Sequence, residues 1–249
     1  MSILVSNDDG IASEGLAAVR DALASLDDIW VVAPDRDQSA VSHSLTLHRP
    51  LRITPVEARV FTVDGTPTDC VNLAINTILP ERPRLVVSGI NRGANMGDDI
   101  TYSGTVSAAM EGTLLGVPAI AVSLVGRDQL DFTTAAAFTR ELAAAVLRDR
   151  LPPDTLLNVN VPAVPAAEIK GYALTRQGKR NYNNAIVENV DPRGKKYYWI
   201  GGDDFHFVEA EGTDFSAVHR GLISITPLHL DLTNYASLRE LSTLKVHWP

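Results

Sequence analysis

The chain has 249 residues, 45% of them hydrophobic, and carries a formal charge of −8 from 22 basic and 30 acidic residues. This length predicts one large domain or a core with an appendage, and the acidic balance argues against binding of nucleic-acid polymers. Cys70 is the only cysteine, which excludes an intrachain disulfide and a cysteine-based zinc site and is typical of the reducing cytosol. Because the sequence shows neither a signal-peptide pattern nor about 20 consecutive apolar residues, we expect a cytoplasmic protein that does not enter a membrane.

The first predicted strand, residues 3–5, is followed by two adjacent aspartates, Asp8 and Asp9. They stand in the sequence Asn-Asp-Asp-Gly, which is typical of a turn. Neighbouring carboxylates repel each other, and a hard divalent cation such as Mg²⁺ or Mn²⁺ would remove that repulsion. An alternative interpretation is that one of the two aspartates only caps the next helix.

The next part of the chain predicts an alternation of helices and strands. Ser13 is a candidate cap for a helix over residues 13–26, and an apolar run at 29–34 predicts a second strand that ends in a polar loop containing Ser39. Short strands are predicted at 51–53 and 59–63. Thr66, Pro67 and Asp69 then have the pattern of a helix start.

A third buried strand is predicted at residues 85–88, and a long glycine-rich loop over 89–99 follows it and contains Asn95. Ser103, Gly104 and Thr105 open the next helix, which ends near Gly116. A strand at 119–124, a helix at 131–148 and a strand at 156–161 continue the alternation.

This alternation predicts an α/β fold with a Rossmann-like, doubly wound, mostly parallel sheet. We expect a catalytic core over residues 1–162 and a β-rich extension over 163–249, with strands at 172–176, 196–200 and 222–226 and a short closing helix at 235–241. Loops are expected at 181–184 and 201–204. The extension has too few apolar residues for a core of its own, so we expect it to pack on a partner subunit.

The ends of parallel strands lie at one edge of a sheet, where ligands bind. That topology predicts that the loops of Asp8 and Asp9, of Ser39 and of Asn95 lie side by side. The helix that begins at Ser103 adds free N–H groups and a positive dipole end, which suit a phosphate. A cation next to an anion site favours phosphoryl chemistry. Each part also has an ordinary explanation, namely a helix cap, a loop hydroxyl or a glycine-rich turn.

Several motifs together resemble the SurE, or survival protein E, family of 5'/3'-nucleotidases. The resemblance extends over nearly the whole chain and is carried by segments 6–10, 33–39, 65–71, 88–97, 102–109, 213–214 and 223–228, together with Arg180 and Tyr182. The combination is specific, although any one of these motifs is not.

The resemblance implies a metal-dependent phosphatase that acts on nucleoside monophosphates and, in many members, also on short polyphosphate. It places one divalent cation per subunit on Asp8, Asp9, Ser39 and Asn95. It places the phosphate next to Ser103, Gly104 and Thr105, with Ser39 and Asn95 also nearby. It further implies a homodimer or homotetramer with exchanged C-terminal arms.

We therefore expect direct hydrolysis, in which Asp8, Asp9 and Asn95 are the catalytic residues and Asp9 is the first candidate for orienting or deprotonating the water. Two alternatives remain open at this point. One is a covalent mechanism through an aspartyl-phosphate. The other is a nucleotide-binding regulator without catalytic activity. The sequence does not indicate which base is preferred, although Asn95, Met96 and the region of Tyr182 are candidates for bordering it.

Overall fold

The computed structural model describes residues 1–126, 130–180, 186–200 and 207–246 of the chain. The strands are β1 (Ser2–Ser6), β2 (Asp28–Pro34), β3 (Ile53–Glu57), β4 (Val60–Val63), β5 (Leu85–Arg92), β6 (Ala119–Val125), β7 (Thr155–Pro162), β8 (Tyr172–Leu174), β9 (Ile186–Val190), β10 (Lys196–Ile200) and β11 (Ile223–His229). The α-helices are α1 (Glu14–Leu23), α2 (Pro67–Leu73), α3 (Gly104–Leu114), α4 (Thr133–Asp149), α5 (Asp214–His219) and α6 (Tyr235–Leu241).

Nine of these strands form one twisted sheet in the order β3-β4-β2-β1-β5-β6-β7-β11-β8. The six neighbouring strands β4, β2, β1, β5, β6 and β7 run parallel. Strand β3 pairs with β4, and β11 with β7, in antiparallel fashion. The predicted α/β fold with a doubly wound, mostly parallel sheet is therefore confirmed. Because β1 has β2 on one side and β5 on the other, the chain changes direction across the sheet at β1, which is where open α/β sheets bind ligands.

Helices cover both faces of the sheet, and the core therefore consists of two apolar layers, one on each face. On one face α1 and α4 pack with residues such as Leu16, Val19 and Ala135. On the other face α2 and α3 contribute Cys70 and Val106. Cys70 is fully buried, as its apolar helical setting predicts.

The predicted helix starts are confirmed by their caps. Ser13 Oγ accepts a hydrogen bond from the backbone N–H of Leu16 at the start of α1. At the start of α2, Thr66 and Asp69 form a reciprocal capping box and Pro67 occupies the first turn. These local patterns fix where each helix begins, because they satisfy N–H groups that have no partner within the helix.

The third predicted strand is longer than its apolar run. We expected the loop to begin at Gly89, but β5 continues to Arg92. The register with β6 shifts between Ser88 and Asn91, and pairing then resumes with Ser123 and Leu124. A bulge of this kind lets a strand continue through a glycine, and it moves the start of the Asn95 loop to the edge of the sheet.

The region after residue 162 only partly matches the prediction. Strands β8 and β11 follow residue 162 in sequence but belong to the main sheet, next to β7. The division into a core over residues 1–162 and an extension over 163–249 stays a prediction. The short helix α5 and the strand β9 were missed because neither has a clear apolar period. The predicted loops at 181–184 and 201–204 lie outside the described residues.

The strands β9 and β10 form an antiparallel hairpin that is separate from the main sheet. Every residue of both strands is exposed, including Tyr198, Trp199 and Ile200. A hairpin of two strands buries too little surface to be stable by itself in water. In the part of the chain that the structure covers, none of the helices has the length and hydropathy needed to cross a membrane.

Gly15→Ala tests the close packing of α1 on β5. A Cβ atom at Gly15 would lie 2.0 Å from the carbonyl oxygen of Ile90. Replacing glycine by alanine inside a helix normally stabilises it by about 1 kcal/mol, but here we expect a loss of about 2 kcal/mol or more in the free energy of unfolding. The measurement is urea unfolding. Ala17→Gly at an exposed position of the same helix is the control and should cost about 1 kcal/mol through helix propensity alone. A stabilising Gly15→Ala would contradict the packing.

Candidate active site

The turn after β1 holds two aspartates at the edge of the sheet. All five residues of β1 are buried, and the side-chain amide of Asn7 donates a hydrogen bond of 2.9 Å to the carbonyl oxygen of Gly10. Gly10 has a φ of +91°, a conformation that favours glycine, and lies against the backbone of Arg36 in the loop after β2. The turn therefore has a fixed shape that presents Asp8 and Asp9 next to the neighbouring loop.

The carboxylate of Asp8 is buried against the first turn of α3. Burial raises the pKa of Asp8 to about 6, although the hydrogen bond from the Thr105 hydroxyl lowers it, and the negative charge of Asp9 adds to the increase. A Cβ atom at Gly104 would lie 2.7 Å from the Cβ of Asp8. Glycine at the start of α3 therefore allows the helix to approach the carboxylate this closely.

Asp9 is less buried and faces the loops that follow β2 and β5. Its Oδ2 accepts a hydrogen bond of 3.2 Å from the backbone N–H of Arg92. Burial raises the pKa of Asp9, the hydrogen bond from Arg92 lowers it, and the negative charge of Asp37 raises it further. Three carboxylates thus influence one another at this edge of the sheet.

The loop after β2 is joined to Asp8 through the backbone. The N–H of Gln38 donates a hydrogen bond of 2.8 Å to the carbonyl oxygen of Asp8. The carboxylate of Asp37 accepts hydrogen bonds from both the backbone N–H and the hydroxyl of Ser39, at 2.7 and 2.6 Å. The hydroxyl proton of Ser39 is therefore used within the loop, while its oxygen stays exposed to a ligand.

Asn95 is held from three sides. Its backbone N–H donates to Asn160 Oδ1, and its carbonyl oxygen accepts hydrogen bonds from the side-chain amides of both Asn158 and Asn160. Its own Nδ2 donates a hydrogen bond of 2.8 Å to Ser123 Oγ. None of the described residues donates to its Oδ1, so this amide oxygen is available to a ligand.

The predicted site residues differ in how directly the structure joins them. Asp8 contacts Gly104 and Thr105, and Ser103 caps α3 by accepting a hydrogen bond of 3.1 Å from the N–H of Val106. Among the described residues, neither Ser39 nor Asn95 forms a hydrogen bond to Asp8 or Asp9; the aspartate that Ser39 contacts is Asp37. Tyr182, which the resemblance to SurE proteins includes, lies outside the described residues.

Sequence reasoning missed the residues that support the site. Asn158 and Asn160 alternate along the buried strand β7, so both point to the same face of the sheet. Polar residues with this spacing inside an apolar strand are the signal that could have identified them, because buried amides require partners. Asp37 had a weaker signal, since an aspartate in a polar loop is common.

The residues present fit a hard divalent cation. Two neighbouring carboxylates with raised pKa values would both be stabilised in the ionised form by a nearby cation. Asn7 Oδ1, beside this pair in the chain, is buried and has no hydrogen-bond partner among the described residues. Within the same residues no three His, Cys, Asp or Glu side chains converge, so a cation here would also need hydroxyl or amide oxygens.

Known proteins share both the sequence and the fold of this chain. A family model described as survival protein SurE matches residues 3–184. A protein named 5'-nucleotidase SurE from Geotalea uraniireducens is 60% identical over 242 residues, which are 97% of this chain and 98% of that protein. The protein of the same name from Myxococcus xanthus is 56% identical over 246 residues, which are 98% of this chain and 93% of that protein.

A solved structure gives the same result. The crystal structure of the SurE protein from Aquifex aeolicus has a TM-score of 0.89 and 49% sequence identity to this chain, and the match covers 98% of this chain and 99% of that one. The match thus includes the strands that follow β7 as well as the parallel part of the sheet. On the family model, the relatives and the shared fold, the chain belongs to the SurE family.

Proposed function

We propose that this protein is a metal-dependent 5'-nucleotidase, a phosphoric monoester hydrolase that releases phosphate from nucleoside monophosphates. The observation that carries the proposal is the buried carboxylate of Asp8, which lies beside Asp9 and against the N-terminus of α3. This position is at the end of β1, where the order of the strands across the sheet reverses. The relatives that bear the name 5'-nucleotidase SurE support the same activity.

Asp8, Asp9, Ser39 and Asn95 are the residues that would hold the cation, with Mg²⁺ or Mn²⁺ as the preferred ion and one ion in each subunit. All four offer oxygen atoms, which these ions prefer. When bound, such an ion supplies positive charge to phosphoryl oxygens and makes water more acidic. The hydrogen bonds from Ser39 to Asp37 and from Asn95 to Ser123 orient both ligand oxygens before any ion binds.

The N-terminus of α3 would bind the substrate phosphate. Its eleven residues carry a dipole whose positive end lies at Ser103 and Gly104. Thr105 has a second role, because its buried hydroxyl donates to Asp8 and therefore orients that carboxylate. Asp9 is the more accessible of the two aspartates and has its second oxygen, Oδ1, free of hydrogen bonds to described residues. We assign to it the orientation or deprotonation of the attacking water.

Two further parts of the proposal rest on the same chemistry. The protein would also act on 3'-nucleotides and on short polyphosphate, because each presents a terminal phosphoryl group to the cation and to α3. Direct attack by water is preferred to an aspartyl-phosphate, since both aspartates are used as ligands. The cytoplasmic location stays a prediction.

A nucleotide panel tests the activity and the need for a metal. We expect phosphate release from AMP with Mg²⁺ or Mn²⁺, slower release from 3'-AMP and triphosphate, and none after addition of EDTA. Activity should return when the ion is restored. Binding of AMP without phosphate release in any metal would instead favour a non-catalytic regulator. A phosphorylated protein trapped by rapid acid quench would favour the covalent mechanism.

Asp8→Asn should abolish turnover and, in EDTA, stabilise the fold at neutral pH. The pKa of Asp8 is raised from about 4 in the unfolded chain to about 6 in the folded protein. The folded state therefore binds the proton more tightly, and stability is lost as the pH rises through this window. Since asparagine carries no charge, we expect a gain of about 2 kcal/mol at pH 7.5 that disappears near pH 4.

The measurement is urea unfolding of both proteins between pH 4 and 8. Asp21→Asn is the control, because Asp21 is an exposed aspartate on α1 whose ion pair, among the described residues, is with its neighbour Arg20. It should leave activity and stability unchanged. An Asp8→Asn protein that retains activity, or that is destabilised equally at pH 4 and at pH 7.5, would contradict the assigned role.

The exposed hairpin of β9 and β10 predicts a homodimer or homotetramer with exchanged C-terminal arms. Trp199 is 65% exposed and Ile200 is 87% exposed. Burial of such side chains in an interface stabilises association by the hydrophobic effect. We expect light scattering at micromolar concentration to give an oligomer that Trp199→Glu dissociates, whereas Lys195→Glu, a charge change at the exposed turn of the same hairpin, does not. A monomeric parent protein would refute the assembly.

A further inference from the structure

We propose that an apolar cavity beside the Asn95 loop binds the nucleobase of the substrate; this inference rests on the proposed nucleotidase function. The cavity has a volume of about 290 Å³ and is lined by Gly93, Ala94, Met96, Val125, Phe207 and Phe215, among others. This volume is near the lower end of the range for small-molecule pockets, which suits a single heterocyclic ring system better than a whole nucleotide.

One loop borders both the cavity and the candidate active site. Ala94 and Met96, which flank Asn95 in sequence, both line it. Gly93 also lines it and directly follows Arg92, whose backbone N–H donates to Asp9. The shared loop is therefore the basis for assigning the base end of a substrate to this cavity while its phosphate lies at the aspartates.

The walls of the cavity are already in place without a ligand. The carboxylate of Asp214 accepts hydrogen bonds of 2.7 and 2.8 Å from the backbone N–H groups of Gly97 and Gly178. The ring of Phe215 lies between these two glycines, since a Cβ atom at either one would come within 2.7 Å of it. Gln177 Nε2 also donates to the carbonyl oxygen of Gly97. A cavity that is preorganised in this way binds with little loss of conformational freedom.

The chemistry of the lining suits a nucleobase. The rings of Phe207 and Phe215 are stacked, with centroids 5.0 Å apart and an angle of 7° between their planes. A base could extend this stack on the face of Phe207 that is turned away from Phe215, because aromatic rings stack on all bases. His219 lies at the rim, with its ring 6.2 Å from that of Phe207, and offers a polar atom to the edge of a base. None of the described residues that line the cavity is an acid, a lysine or an arginine, so the phosphate has no partner here.

Comparison of AMP with ribose 5-phosphate tests the cavity, because ribose 5-phosphate keeps the sugar and the phosphate but has a hydroxyl in place of the base. In Phe207→Ala we expect the KM for AMP to rise about tenfold with little change in kcat. Kinetics with ribose 5-phosphate should not change. The matched control is Phe61→Ala. It removes a ring in strand β4, near the β3 edge of the sheet, that stacks on Trp30, and it should affect neither substrate.

A second variant and a binding measurement keep the test independent of a folding defect. Val218→Trp fills the cavity without removal of the aromatic stack and should raise the KM for AMP in the same way. Calorimetric titration with adenosine in EDTA should show binding to the parent protein and about tenfold weaker binding to both variants.

Two results would overturn the proposal. One is an equal loss of activity on AMP and ribose 5-phosphate. The other is an unchanged KM together with a change in oligomeric state, which would make the cavity an interface for a second copy of the chain. If the parent protein hydrolyses neither substrate, the proposed nucleotidase function fails, and the adenosine titration alone then decides whether the cavity binds a base.

Discussion

The contact between the Asp8 carboxylate and the first turn of α3 is the interaction on which the site depends. It places a negative charge in a buried position, where the Thr105 hydroxyl and the helix dipole offset only part of the cost. The raised pKa values of Asp8 and Asp9 show that the protein by itself does not stabilise both charges. The fold thus holds two carboxylates in an arrangement that favours a cation, at the expense of its own stability.

Local chemistry in the sequence predicted much of the fold. The caps at Ser13 and Thr66, the apolar runs of the parallel strands and the alternation of elements gave the doubly wound sheet. The return of β11 to the sheet beside β7 was not predictable in this way, because strand pairing over long distances depends on which edges remain open after the core has formed. The end of β5 at Arg92 was missed for a related reason, since a bulge leaves no mark in an apolar pattern.

The candidate site was predictable to the extent that it follows from strand ends. Topology indicated that the loops of Asp8, Ser39 and Asn95 lie at one edge, and the helix start at Ser103 indicated a candidate anion site. The separate tasks of these side chains could not be predicted, because they depend on hydrogen bonds between distant segments. Thr105 donates to Asp8, and Asn160 holds the backbone of Asn95, across 97 and 65 residues of sequence.

The support of Asn95 by β7 has a consequence for how such a protein can change. Because β7 lies between β6 and β11, the strand that anchors Asn95 also bonds to the segment after residue 162. The two halves of the chain therefore cannot be exchanged like independent modules. Mutations that remodel the C-terminal part for a new assembly would be transmitted to the position of Asn95, the proposed metal ligand, so evolution of quaternary structure and of catalytic efficiency would be constrained together.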